Sequence, residues 1–179
     1  MSIGLGAFVY ERNHTSKKAL YSTVNANKGY FFFDNEIIAL GNDVRRVREG
    51  DGADIITTLN QLEWRDDITF GKVGENKHET IALSGRDAVK QLHTEKKPIW
   101  FYHNEVGYVI VPKPEQKVEI ELQAQARVPL LSKKKKNQDN KKMFQLAINH
   151  GSIVESDYYQ YILLPKTTVK NVKTFAESI

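Results

Sequence analysis

Cysteine is absent from the 179 residues. That excludes disulfides, thiolate nucleophiles and thiolate metal sites, but it leaves the compartment open. No stretch approaches the roughly 20 apolar residues that cross a bilayer. Met1 to Arg12 has no basic segment followed by a long apolar run, so no signal peptide and no membrane partner are read. A glycine-rich phosphate loop is missing: Gly4-Leu5-Gly6 lacks a third glycine and a following helix. So is a Gly-x-Ser-x-Gly nucleophile elbow. The five histidines, His14, His78, His93, His103 and His150, form neither a helical i, i+4 pair nor a zinc-type cluster. The carboxylates are scattered, and nothing in their spacing points to the paired acids of glycoside hydrolysis. No metal and no cofactor are expected.

What is present is an ordinary globular balance, 40% hydrophobic and 27% charged, on a chain long enough for one cored domain. No internal repeat or interdomain linker divides it, so residues 1–179 read as a single domain. The net charge is +4 and its excess is local. Lys133, Lys134, Lys135, Lys136, Lys141 and Lys142 crowd six lysines into ten residues, opposed by Asp139. Lys133 to Lys136 are candidate contacts for a polyanion. The plainer reading is a solvated loop held open by like charges. No aromatic residue is interleaved for base stacking, so nucleic acid is not expected as a partner.

Hydrophobic periodicity is mostly two. Val118, Ile120, Leu122, Ala124, Ala126 and Val128 alternate with polar residues, as do Phe144, Leu146 and Ile148. Runs biased to β-branched and aromatic residues predict further strands at 7–10, 30–33, 36–40, 55–62, 99–102, 107–111 and 158–164. Asp34-Asn35 and His103-Asn104-Glu105 read as hairpin turns tolerant of positive φ. Gly50-Asp51-Gly52, Gly71 to Asn76 and Pro112-Lys113-Pro114 mark loops. Two short helices are predicted: Ser84 to His93, and Thr168 to Glu177 with Thr168 as cap. Many short strands with regular turns predict an all-β sandwich or barrel.

His103 and His150 each sit beside asparagine and close to glycine. Each reads either as a polar contact to a sugar or neighbouring module, or as a turn histidine satisfied by local backbone groups. Trp64, Trp100, Tyr158, Tyr159 and Tyr161 are the aromatics best suited to stack on the apolar face of a sugar, with core packing as the leading reading for any one of them. The candidate carbohydrate contacts are Trp100, His103, Asn104, His150, Tyr159 and Tyr161.

Four blocks in order carry a family resemblance. Tyr30 to Gly41 is an aromatic run, then Asp34, Glu36 and an apolar strand ending in Leu40-Gly41. Thr57-Thr58-Leu59-Asn60-Gln61 follows. Trp100 leads through His103-Asn104-Glu105 to Gly107-Tyr108. Asn149-His150-Gly151 precedes Tyr159-Gln160-Tyr161 and an apolar run to Pro165. Together they resemble the central β-sandwich of polysaccharide lyase family 8, whose members cleave hyaluronan, chondroitin and xanthan. Departures are Gly29-Tyr30 for the usual Ser-Trp, Asn104-Glu105 for Asp-Gly, Asn149 for aspartate, and the lysine run.

The resemblance implies an antiparallel β super-sandwich of the galactose-mutarotase type with one or two short helices. It implies β-elimination on a uronic acid, performed by asparagine, histidine, tyrosine and arginine of an upstream helical toroid. No catalytic residue transfers to this sequence, and the chain alone is expected to be inactive. Its implied partners are an acidic polysaccharide and the helical catalytic module, and the parent enzyme would be secreted or periplasmic. The alternative is a stand-alone carbohydrate-binding or interaction module on the same fold. An excised sandwich would also expose an apolar or aromatic surface where another domain had packed.

Overall fold

The computed structural model describes residues 3–11, 23–48, 52–126 and 141–179. Among them lie two antiparallel sheets and one helix. The strands are β1 (Gly4–Glu11), β2 (Thr23–Phe32), β3 (Ile37–Arg48), β4 (Ile55–Glu63), β5 (Ile68–Lys72), β6 (Glu79–Ile81), β7 (Ala88–Glu95), β8 (Ile99–His103), β9 (Val106–Ile110), β10 (Lys117–Ala126), β11 (Lys142–Gly151) and β12 (Asp157–Pro165), followed by helix α1 (Val169–Glu177). The large sheet has eight strands in the order β1-β2-β3-β12-β9-β8-β5-β6, and the small one has four in the order β4-β11-β10-β7. This is the antiparallel sandwich that the alternation predicts.

In β10, Val118, Ile120, Leu122 and Ala124 are buried while the residues between them face outward. They meet Phe70, Phe101, Tyr108 and Ile110 of the large sheet in the main core. The centre of the large sheet is covered on both faces, which is why β8 and β9 read as continuous apolar runs. Its outer face packs Trp100, Val109, Ile162 and Leu164 under Val172 and Ala176 of α1. Thr168 caps that helix, its hydroxyl accepting from the Asn171 amide at 3.2 Å. Gly107 lets the helix seat, since a Cβ there would lie 2.6 Å from Val172 Cγ2.

Three expectations are corrected. Residues 84–93 form no helix. The segment from Ala88 onward is edge strand β7, with Ala88 opposite Ala124 and Leu92 opposite Ile120. The free edge of β10 overrides a weak local preference there. Gly71 and Lys72 belong to β5 rather than to a loop. Residues 33–36 do turn between β2 and β3, with the Phe33 amide donating to the Glu36 carbonyl at 2.9 Å, but Asp34 and Asn35 do not take positive φ. The hairpin joining β8 and β9 does, with φ of 48° at Asn104 and 63° at Glu105, the double left-handed pattern that suits a two-residue turn to the strand twist. Lys133 to Lys136 lie outside the described residues.

Candidate functional site

The Asn149-His150-Gly151 block builds a clasp between the sheets. Asn149 opposes Ile56 and Gly151 opposes Ile55, which leaves His150 as an extra residue in a bulge, and Gly151 takes φ 82°. The His150 side chain is fully buried. Its Nδ1 lies 2.5 Å from Asp157 Oδ2 and its Nε2 lies 2.9 Å from Thr57 Oγ1. The carboxylate accepts from Nδ1–H, which leaves Nε2 to meet the Thr57 hydroxyl. Thr57 and His150 belong to the small sheet and Asp157 to the large one. Burial pushes the Asp157 carboxyl up, but the His150 bond and the Tyr158 amide outweigh it and hold the group below the ordinary carboxylate range. A carboxylate–imidazole–hydroxyl order also serves nucleophilic catalysis. Here the imidazole is sealed from solvent, and the bonds fasten one sheet to the other.

Asn149 explains its own departure from the family pattern. Its amide nitrogen donates to Asp54 at 2.8 Å and to Glu121 at 2.6 Å, while its carbonyl oxygen accepts from the Gly151 amide at 2.7 Å. An aspartate in that place would face two like charges.

Tyr159 and Tyr161 are neighbours on the inner face of β12, stacked at 5.9 Å and exposed by 2% and 5%. The Tyr159 ring also approaches His150 at 6.1 Å and occupies the space a side chain at Gly41 would need. Burial, and then the neighbouring tyrosines, push both hydroxyls well above the usual phenol range. Neither is a base near neutral pH. Trp100 lies under α1, 1% exposed. His103 is fully buried against Phe144, with ring centroids 4.6 Å apart, and its Nε2 accepts from the Arg65 amide at 3.3 Å. Burial drives its pKa down to about 4, with Asp66 opposing the shift. Asn104 is exposed in the β8–β9 turn, remote in role from the clasp. The structure thus joins His150, Tyr159 and Tyr161 in one buried cluster and places Trp100 and His103 separately in core packing.

An open cleft lies next to the clasp. The eight-stranded sheet outreaches the four-stranded one, so the inner faces of β1 and β2 overhang the free edge of β4. The cleft has a volume of about 480 Å³, and its walls include Tyr10, Lys28, Tyr30, Thr57, Thr58 and Tyr161. The Lys28 ammonium is half-buried, 5.1 Å from the Tyr10 ring centroid and 5.9 Å from that of Phe8. Burial lowers its pKa. Arg46, also in the wall, is engaged instead by the backbone carbonyls of Ser152 at 2.8 Å and of Ala53. Large exposed apolar side chains crowd β1, with Phe8 and Tyr10 on the face toward the cleft and Leu5 and Val9 on the opposite one, and Ile56 is exposed on β4.

A family model described as polysaccharide lyase family 8, super-sandwich domain, matches residues 2–176. The chain belongs to polysaccharide lyase family 8. Chondroitinase-AC of Pedobacter heparinus is 29% identical over 147 residues, covering 81% of this chain and 19% of that protein. A solved chondroitinase AC lyase superposes with a TM-score of 0.66 over 97% of this chain and 23% of its own, at 23% identity. A Paenibacillus xanthan lyase superposes with a TM-score of 0.64 over 96% of this chain and 16% of its own, at 18% identity. The likeness to the two solved structures is one of fold. This chain spans about a fifth of the curated relative's length.

Lys28, Tyr10 and Thr58 are wall residues that sequence reasoning passed over. Lys28 did carry a signal, a cation inside a strand next to an aromatic run. Among the described residues no group of three His, Asp or Glu side chains is placed to hold a metal ion.

Proposed function

We propose that this chain is a β-sandwich domain of a larger lyase that cleaves uronic-acid polysaccharides of the chondroitin or hyaluronan type by β-elimination. It supports a helical catalytic module of the same protein and does not perform the chemistry alone. The match to the super-sandwich model across residues 2–176, on a chain spanning 19% of chondroitinase-AC, is the observation that carries this reading.

In the elimination, a base removes the C5 proton of the uronate, the C4–O bond breaks, and the leaving oxygen takes up a proton. The reaction needs a base that works near the operating pH and donors that stabilise the developing anion. His103, Tyr159 and Tyr161 do not supply that base, since burial disfavours their charged forms. Their role on this reading is mechanical: the aromatic cluster and the His150 clasp make the sandwich stiff enough to back a catalytic cleft. The partners are the helical module and the acidic polysaccharide, and the parent enzyme works outside the cytoplasm, where such polymers lie.

The test is ultraviolet detection of unsaturated uronate from chondroitin, hyaluronan and xanthan. It compares the purified 179-residue chain with the same chain joined to a family helical module. Product is expected from the joined protein and none from the chain alone. Steady product from the chain alone would sink the proposal, and so would a joined protein no faster than the helical module by itself.

A further inference from the structure

We propose that the cleft beneath β1 and β2 binds an acidic sugar residue, with Lys28 anchoring its carboxylate and the Tyr10 ring receiving its apolar face. The choice of a sugar rests on the lyase reading above; the demand for an anion does not.

That demand comes from charge. Lys28 holds a half-buried ammonium against two rings, and no carboxylate among the described residues pairs with it. Burying a cation without a counter-charge is costly, and an incoming anion recovers that cost. Of the other charged residues in the wall, Arg46 is taken up with backbone carbonyls and the Asp54 carboxylate accepts from the Asn149 amide at 2.8 Å, so Lys28 is the anchor the cleft offers.

The demand for a ring with one apolar and one polar side comes from the walls. Tyr10 is 39% exposed and presents an aromatic face, against which the C–H face of a pyranose packs as other apolar surfaces do. Tyr30, Tyr161, Thr57 and Thr58, each bearing a hydroxyl, are among the residues along the rest of the cleft. One of these is held before any ligand arrives: Thr57 bonds His150 at 2.9 Å. Hydroxyls held in place cost less to order on binding than free ones. The volume of about 480 Å³ falls within the range of small-ligand sites. The clasp thus acquires a second consequence, since Asp157 and His150 orient a hydroxyl in the cleft wall.

The test is calorimetric titration of the 179-residue chain with a hyaluronan tetrasaccharide and with its carboxyl-reduced, neutral counterpart. It is run on the native protein, Lys28→Gln, Lys28→Arg and Tyr10→Ala, each checked for a cooperative urea transition. The native chain is expected to prefer the acidic sugar by about tenfold, and Lys28→Gln to abolish that preference. Lys28→Arg is expected to keep affinity within about threefold, and Tyr10→Ala to weaken both sugars alike by about fivefold. Equal binding of acidic and neutral sugar by the native chain overturns the proposal, and so does an undiminished preference in Lys28→Gln. Failure of both sugars to bind overturns it as well, while leaving the lyase-domain reading to be judged by product formation in the joined protein. Concentration-dependent self-association that protects the outward amides of β4 from hydrogen exchange would also overturn it, assigning the cleft to a second copy of the chain.

Discussion

Replacing His103 by phenylalanine is expected to flatten the acid side of the stability curve. The ring is fully buried against Phe144, its Nε2 accepts from the Arg65 amide, and its Nδ1 is buried with no partner among the described residues. Because Nε2 accepts, the proton of the neutral ring sits on Nδ1, and a second proton would place a cation in the core. Burial accordingly lowers the pKa from 6.5 to about 4. The unfolded chain then binds more protons than the folded one between those two values. Stability is complete above the unfolded value and falls as the pH drops from there toward about 4. The slope approaches about 1.4 kcal/mol per pH unit, giving a loss of about 2 kcal/mol between roughly pH 7 and pH 5, and about 3 kcal/mol once the pH reaches the folded value. Phenylalanine removes both the titration and the orphan Nδ1–H, at the expense of the acceptor for the Arg65 amide, so its net effect near neutrality is within about 1 kcal/mol. Urea unfolding of both proteins at the two pH values measures the difference directly. Equal losses in the native protein and in His103→Phe would refute the reasoning, as would a nuclear magnetic resonance titration of His103 with an ordinary midpoint.

Gly41→Ala would place a methyl group 2.1 Å from Tyr159 Cε1. That ring is wedged between Tyr161 and His150, so the variant is expected to lose about 3 kcal/mol in urea unfolding with an unchanged denaturant slope. A loss below about 1 kcal/mol would show that the aromatic cluster yields. Asp157→Ala removes the carboxylate half of the clasp and is expected to cost about 2 kcal/mol at neutral pH. Because the folded carboxyl lies below its ordinary value of 3.8, its contribution is present above that value and vanishes as the pH falls through the folded pKa. The native protein and the variant are therefore expected to converge in acid, and a gap that stays constant would show that the charge contributes nothing.

Alternation and turn chemistry made much of the large-scale order readable. The strict period of two from Val118 to Ala124 marked β10, the Asn104-Glu105 pair marked the β8–β9 hairpin, and Thr168 ahead of an apolar stripe marked α1. Each signal acts within a few residues, and each survived into the fold. Segment 84–93 did not, because pairing with β10 decides its conformation and that partner lies some thirty positions further along the chain. Trp100, Tyr159 and Tyr161 carried aromatic identity in the sequence but not their burial, which depends on a helix and a second sheet closing over them.

The sequence alone determined the fold class and the family likeness, since both rest on local periodicity and on blocks recurring in order. Only the tertiary structure decided where the cleft lies. Its walls come from β1, β2, β3, β4 and β12, and the cleft exists because one sheet has eight strands and the other four. In the sequence Lys28 is a cation just ahead of an aromatic run. It becomes a half-buried cation against two rings only when β1 pairs with β2, setting Phe8 opposite Lys28 and Tyr10 opposite Ala26. Burial and charge pairing depend on neighbours brought together from distant parts of the chain, and local periodicity carries no record of them.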